Sequence, residues 1–104
     1  MAVTKLEEKD FQKTVLDSKK KVLVDCYADW CGPCRMVSPI IDELASELVD
    51  CEFYKLNVDT AHKITKRYGI MSIPTILIFD NNELKKQLIG FKSREELLNE
   101  IKNL

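Results

Sequence analysis

No charge of either sign dominates this chain. Its 104 residues carry 16 basic and 17 acidic side chains, a formal net charge of -1, so the electrostatic footprint of a nucleic-acid binder is missing. No apolar run approaches the roughly 20 residues of a membrane-spanning helix. Glycine and proline number only three each, and no linker, internal repeat or low-complexity segment breaks the sequence. No nucleotide-binding motif is present. The single histidine, His62, falls on a polar helix and reads as a surface residue rather than a ligand or base. The opening Met-Ala-Val-Thr-Lys-Leu-Glu-Glu lacks the apolar core of a secretory signal, and its acids argue against a transit peptide. The expectation is therefore an intracellular, reducing location, the cytoplasm. There, the four cysteines are expected to be catalytic, metal-binding or simply buried rather than structural disulfides.

What is present is an ordinary globular balance, 45% hydrophobic and 32% charged residues, at a length that suits one domain over residues 1–104. The stretch from Lys21 to Leu48 organises it. Val22 to Tyr27 is a short run rich in β-branched and aromatic residues, which predicts a buried strand. Met36, Val37, Ile40, Ile41, Leu44, Ala45 and Leu48 then recur at helical spacing. Pro39 lies inside that helix, where a kink is expected. Between strand and helix sits Trp30-Cys31-Gly32-Pro33-Cys34.

Cys31 falls at or just before the first helical turn, where backbone N–H groups lack partners and the macrodipole is positive. A thiolate is stabilised there, so a depressed Cys31 pKa and a nucleophilic sulfur are expected. Pro33 suits the first turn because its missing N–H would be unpaired anyway. Gly32 lets another backbone approach closely. Cys34 is one helical turn further on and on the same side, so the two sulfurs can close one small ring. An exposed attacking thiol and a recessed resolving thiol make a dithiol–disulfide switch.

Asp25 is the anomaly of the strand. A carboxylate in an apolar run is costly unless paired or protonated, and burial should raise its pKa. It is either a hydrogen-bonded residue of structural value or a proton acceptor and donor for Cys34, acting directly or through water.

The remaining elements follow in order. Ala2–Lys5 is a short first strand. Leu6 to Ser18 reads as a helix with Phe11, Val15 and Leu16 inward, followed by a basic turn at Lys19-Lys20-Lys21. Glu52–Val58 reads as a strand, and Ala61–Tyr68 as a short helix closed by Gly69. These units imply parallel pairing through right-handed crossovers. Thr75–Phe79 and Leu84–Ile89 flank the turn Asp80-Asn81-Asn82-Glu83 and predict a hairpin whose polar second strand suits a sheet edge. Ser93-x-x-Glu96 is a capping box. It opens a terminal helix with Leu97, Leu98, Ile101 and Leu104 inward. The expected architecture is α/β, a central mixed β-sheet flanked by helices on both faces.

Trp30-Cys31-Gly32-Pro33-Cys34, preceded by Val24-Asp25 and followed by Pro39, Ile73-Pro74-Thr75 and Gly90, resembles the thioredoxin family over essentially the whole chain. The Cys-x-x-Cys link to that family is itself a general sequence rule. The resemblance implies a thioredoxin fold and a redox-active Cys31–Cys34 disulfide with no bound cofactor. It implies Cys31 as nucleophile, Cys34 as resolving thiol and Asp25 as the proton-transfer group. It also implies a substrate surface of Trp30, Gly32, Pro33, Ile73, Pro74 and Gly90, with Pro74 cis and the Ile73 backbone pairing with an extended target segment. Lys55 and Asp59 match polar family positions, with Lys55 near Asp25. Implied partners are a thioredoxin reductase and disulfide-containing target proteins, met by a monomer, with neither nucleic acid nor membrane. Cys26, Cys51 and Met71-Ser72 depart from the family pattern; the two cysteines read as small buried residues.

Three other readings compete with a general reductant. Oxidising relatives that form or isomerise disulfides usually carry His between the cysteines, where this chain has Gly32-Pro33. A zinc module would use Cys26, Cys31, Cys34 and Cys51, without the spacing of a second Cys-x-x-Cys. A non-catalytic partner-subunit role would coexist with the chemistry.

Overall fold

The computed structural model describes residues 3–104. Strands β1 (Thr4–Lys5), β2 (Lys21–Tyr27), β3 (Cys51–Asn57), β4 (Thr75–Asp80) and β5 (Glu83–Ile89) form one sheet in the order β1-β3-β2-β4-β5. β3 pairs in parallel with β1 and β2, while β2–β4 and β4–β5 are antiparallel, so the sheet is mixed. Helices α1 (Gly32–Glu47), α2 (His62–Arg67) and α3 (Arg94–Lys102) complete the described elements together with short 3-10 turns and one π-helical segment.

Two-residue alternation along the central strands supplies two cores. Val22, Val24, Cys26, Leu56, Leu77 and Phe79 face one layer, where Phe11, Val15 and Ile64 cover them. Leu23, Phe53, Ile76 and Ile78 face the other, under Val37, Ile41 and Leu44 of α1 and Leu97 and Ile101 of α3. Strands β2 and β4 are buried on both faces and therefore read as continuous apolar runs. Asp25, two residues after Leu23, shares its α1-facing side of the sheet. It is a carboxylate placed by strand parity beneath α1, the helix whose first turn holds Cys34.

The local signals explain the ends of elements. The Ser93 hydroxyl accepts from the Glu96 N–H, and Glu96 accepts from the Ser93 N–H, the reciprocal cap that starts α3. α2 ends where Gly69 turns to φ 62°. There Ile70 N–H reaches Thr65 O and Gly69 N–H reaches Lys66 O, the paired bonds of a Schellman motif. The β4–β5 hairpin turns on Asn81 and Asn82, both at positive φ. Asn82 Nδ2 also donates to Leu16 O and Ser18 O, tying the hairpin to the segment that precedes β2.

Several expectations need correction. Leu6–Ser18 is not one α-helix but a 3-10 turn at Glu8–Asp10 followed by a π-helical segment at Gln12–Leu16, although Phe11 and Val15 do point inward. The first strand is only Thr4–Lys5; residue 2 of its expected span lies outside the described residues. Met36 has helical spacing but is exposed, and Leu104 lies beyond the end of α3 and is exposed as well. The four cysteines do not converge: Cys26 belongs to one core and Cys51 to the other. Among the described residues no group of three or more His, Cys, Asp or Glu could hold a metal ion. That removes the geometry a zinc module requires.

Candidate active site

The end of β2 and the start of α1 build the site. β2 stops at Tyr27, and the next three residues turn the chain so that Cys31 becomes the N-cap of α1. Its backbone is extended, and its Sγ accepts from the Cys34 N–H at 3.2 Å. That N–H is one of the donors a helix start leaves unsatisfied. A sulfur in the place of a capping oxygen therefore receives a hydrogen bond and sits at the positive end of the helix dipole. Cys34 is one turn on, and the two sulfurs are joined as a disulfide with Cα atoms 5.3 Å apart. The expected contrast between an exposed and a recessed thiol is not seen in this oxidised state. Cys31 is 4% and Cys34 3% exposed, because Ala28, Tyr27, Val58 and Ile73 pack around the pair.

The second wall comes from the loop before β4. The Ile73–Pro74 peptide bond is cis, and the Ile73 carbonyl oxygen lies 3.7 Å from Cys31 Sγ. Pro74 is buried at the start of the strand, where a residue without an N–H is tolerated. Its carbonyl accepts from Gly90 N–H at 2.8 Å, and Gly90 takes a φ of +89° that favours glycine. Gly32 and Pro33 are both exposed at the head of α1. Trp30 is 69% exposed, and its indole N–H donates to Asp59 Oδ2 at 3.0 Å. Of the six surface residues the resemblance implies, Ile73 packs against the disulfide, Trp30, Gly32 and Pro33 adjoin its cysteines in the chain, and Pro74 is bonded to Gly90. The sequence marks Asp59 only as a polar family position; its bond to Trp30 joins positions 29 residues apart and has no local sequence signal.

Beneath the disulfide is a cavity of about 170 Å³ lined by Asp25, Tyr27, Ala28, Asp29, Cys34, Arg35, Ser38 and Lys55. Asp25 is 4% exposed, and its Oδ1 is a buried oxygen with no hydrogen-bond partner among the described residues. Burial drives its pKa up to about 7, against a pull downward from Lys55 and a further upward push from Asp42. Lys55 is the register partner of Asp25 across the parallel β2–β3 pair and lines the same cavity, near Asp25 as the resemblance implies. Arg35 donates to the Asp29 carbonyl at 2.6 Å and closes the cavity rim. Ser38 joins this lining without being among the residues the sequence motifs single out. Its place one helical turn beyond Cys34 was the available signal.

The two remaining cysteines are isolated from this chemistry. Cys26 and Cys51 are buried and unpaired, and burial raises both thiols to about 12. Neither forms thiolate near neutral pH.

The comparisons with known proteins agree with this geometry. The thioredoxin family model matches residues 2–103. The chain is 47% identical to a thioredoxin of Rickettsia felis over 92 residues, 88% of each chain. It is 38% identical to a thioredoxin of Mycobacterium tuberculosis over 104 residues, 99% of this chain and 90% of that one. It is also 45% identical over 96 residues to thioredoxin M4, chloroplastic, of Arabidopsis thaliana, spanning 91% of this chain and half the length of that relative. A Cys-Gly-Pro-Cys disulfide at a helix start in a mixed five-stranded sheet, together with these relatives, makes the site a thiol–disulfide oxidoreductase centre. The chain belongs to the thioredoxin family.

Proposed function

We propose that the chain, acting as a single domain, is a general protein-disulfide reductase and electron carrier. The Cys31 thiolate attacks one sulfur of a target disulfide, forming a Cys31–target mixed disulfide and releasing the other target sulfur as a thiolate. Asp25 accepts the proton of Cys34. The Cys34 thiolate then attacks Cys31 Sγ, forming Cys31–Cys34 and releasing the second target thiolate, which takes up a proton. One disulfide is consumed and one formed, and two electrons pass from protein to target. A thioredoxin reductase is the proposed donor that returns the disulfide to the dithiol.

The observation that carries this reading is the Cys31 sulfur at the N-cap of α1, receiving the Cys34 N–H, with a protonatable carboxyl in the cavity that Cys34 also lines. That arrangement favours thiolate at Cys31 and gives Cys34 a base. In the proposed docking mode, target segments lie across Trp30, Gly32, Pro33, Ile73, Pro74 and Gly90, and the Ile73 backbone pairs with them as an added strand. The proposed compartment is the cytoplasm, which two unpaired thiols at Cys26 and Cys51 suit. Among the described residues no helix is long and apolar enough to cross a membrane.

Trapping tests the assigned roles. With a disulfide-containing protein, Cys34→Ser should accumulate a stable mixed disulfide through Cys31, and Cys31→Ser should form none. An adduct on Cys34 in the Cys31→Ser protein, with none in Cys34→Ser, would reverse the assignment.

A further inference from the structure

Between Asp59 and Ile73 the chain leaves the disulfide and returns to it. Asp59 holds the Trp30 indole at 3.0 Å, and the Ile73 carbonyl lies 3.7 Å from Cys31 Sγ. α2 is the middle of that excursion. It is six residues long, so it advances only about 9 Å, and the chain from Arg67 to Ile73 can reach no further than about 20 Å. The chain path therefore keeps α2 within about 30 Å of the disulfide.

Its charged side chains share one sign. Lys63, Lys66 and Arg67 are all exposed, and Asp59 is the sole acid between Val58 and Phe79. The carboxylate of Glu8 accepts the Ile64 N–H at 3.0 Å at the start of the helix. Among the described residues the ion pairs engage Lys20, Lys85, Lys86 and Arg94, and none engages a cation of α2. Elsewhere the balance is reversed: α1 and α3 display Asp42, Glu43, Glu47, Glu95 and Glu96. A chain of net charge -1 has thus gathered three cations outside any ion pair of the described residues on the helix between Asp59 and Ile73. Met71, 96% exposed, lies between that helix and Ile73.

We propose that α2 is an electrostatic docking rim that favours target proteins whose reducible disulfide is flanked by acidic side chains. The proposal rests on the reductase reading and names a substrate class for it. Lys63, Lys66 and Arg67 attract such segments before the sulfurs meet, so the effect falls on the rate of productive encounter and weakens with salt. At an ionic strength of about 10 mM the screening length is about 30 Å and spans the reach from α2 to the disulfide, whereas at about 150 mM it is about 8 Å and does not.

The test uses pre-reduced full-length protein and three synthetic peptides, each with one intramolecular disulfide, identical except for flanking Asp, Lys or Ser residues. Second-order rate constants are read from alkylated products by mass spectrometry. The acidic peptide should react about 10-fold faster than the basic one at low salt, and the gap should shrink to about threefold or less at about 150 mM salt. Lys63→Glu/Lys66→Glu should invert the order and Lys63→Gln/Lys66→Gln abolish it, with the Ser peptide reduced at the wild-type rate by both. Equal rates for the acidic and basic peptides at low salt, or a preference that survives the Glu substitutions, would overturn the proposal. Failure of the wild-type protein to reduce even the Ser peptide would instead overturn the reductase reading on which it rests.

Discussion

Asp25 and Lys55 are register partners across the parallel β2–β3 pair, and both line the cavity below the Cys31–Cys34 disulfide. The ammonium does not cancel the cost of burying the carboxyl. Asp25 still rises from 3.8 to about 7 because desolvation outweighs the attraction of Lys55.

That shift makes the fold pH-dependent. The folded-state pKa is raised, so the folded protein holds the proton more tightly than the unfolded chain. The associated stability is complete below about pH 4 and is lost as pH rises to about 7. Three pKa units correspond to about 4 kcal/mol as an upper figure. Asp25→Asn cannot ionise. Its urea midpoint in the oxidised protein should match wild type near pH 4 and exceed it increasingly up to pH 7–8. A constant difference across that range would contradict a buried, neutral carboxyl.

The same substitution should harm the chemistry while it helps the fold. With the carboxylate gone, Cys34 loses its base, and resolution of a trapped mixed disulfide should slow by about 100-fold, the lower end for general acid–base catalysis. In wild type the resolving rate should rise with pH through about 7 as Asp25 ionises. Stopped-flow measurement of target release checks both. A wild-type rate already flat between pH 6 and 8 would remove Asp25 from the proton path.

Cys26 and Cys51 should be silent. Both are buried, and both thiols are pushed up to about 12. Iodoacetamide at pH 7.5 should modify Cys31 first in the reduced folded protein and reach Cys26 and Cys51 only in denaturant. Peptide mapping would show early labelling at Cys51 if that edge of β3 opens freely.

Much of this site was legible because its signals are local. The β-branched run Val22–Tyr27, the helical spacing of Val37, Ile41 and Leu44, and the capping box at Ser93 and Glu96 each specify an element within a few residues. Asp25 stood out as a charge in an apolar strand. What stayed hidden depends on register or on bonds between distant segments. The unpartnered Asp25 Oδ1, the Trp30–Asp59 bond and the shared cavity with Ser38 follow from how β2, β3 and α1 meet. The Gln12–Leu16 segment misled for another reason. Phe11 and Val15 have the same inward spacing in an α-helix, and the bond from Asp17 N–H to Gln12 O that marks the wider π turn leaves no trace in the apolar period. Met36 kept helical spacing but lies two residues beyond Cys34, at the rim of the site, and is exposed.

The central claim is that this centre donates electrons to disulfides. Equilibrating the Cys31–Cys34 pair against a glutathione buffer series, and quantifying dithiol and disulfide after acid quench, measures its reduction potential directly. The account predicts a potential well below that of the cytosolic glutathione pool, with the pair still oxidised when glutathione is mostly reduced. A potential at or above the pool would make the protein a disulfide donor and contradict the proposed function with the fold unchanged.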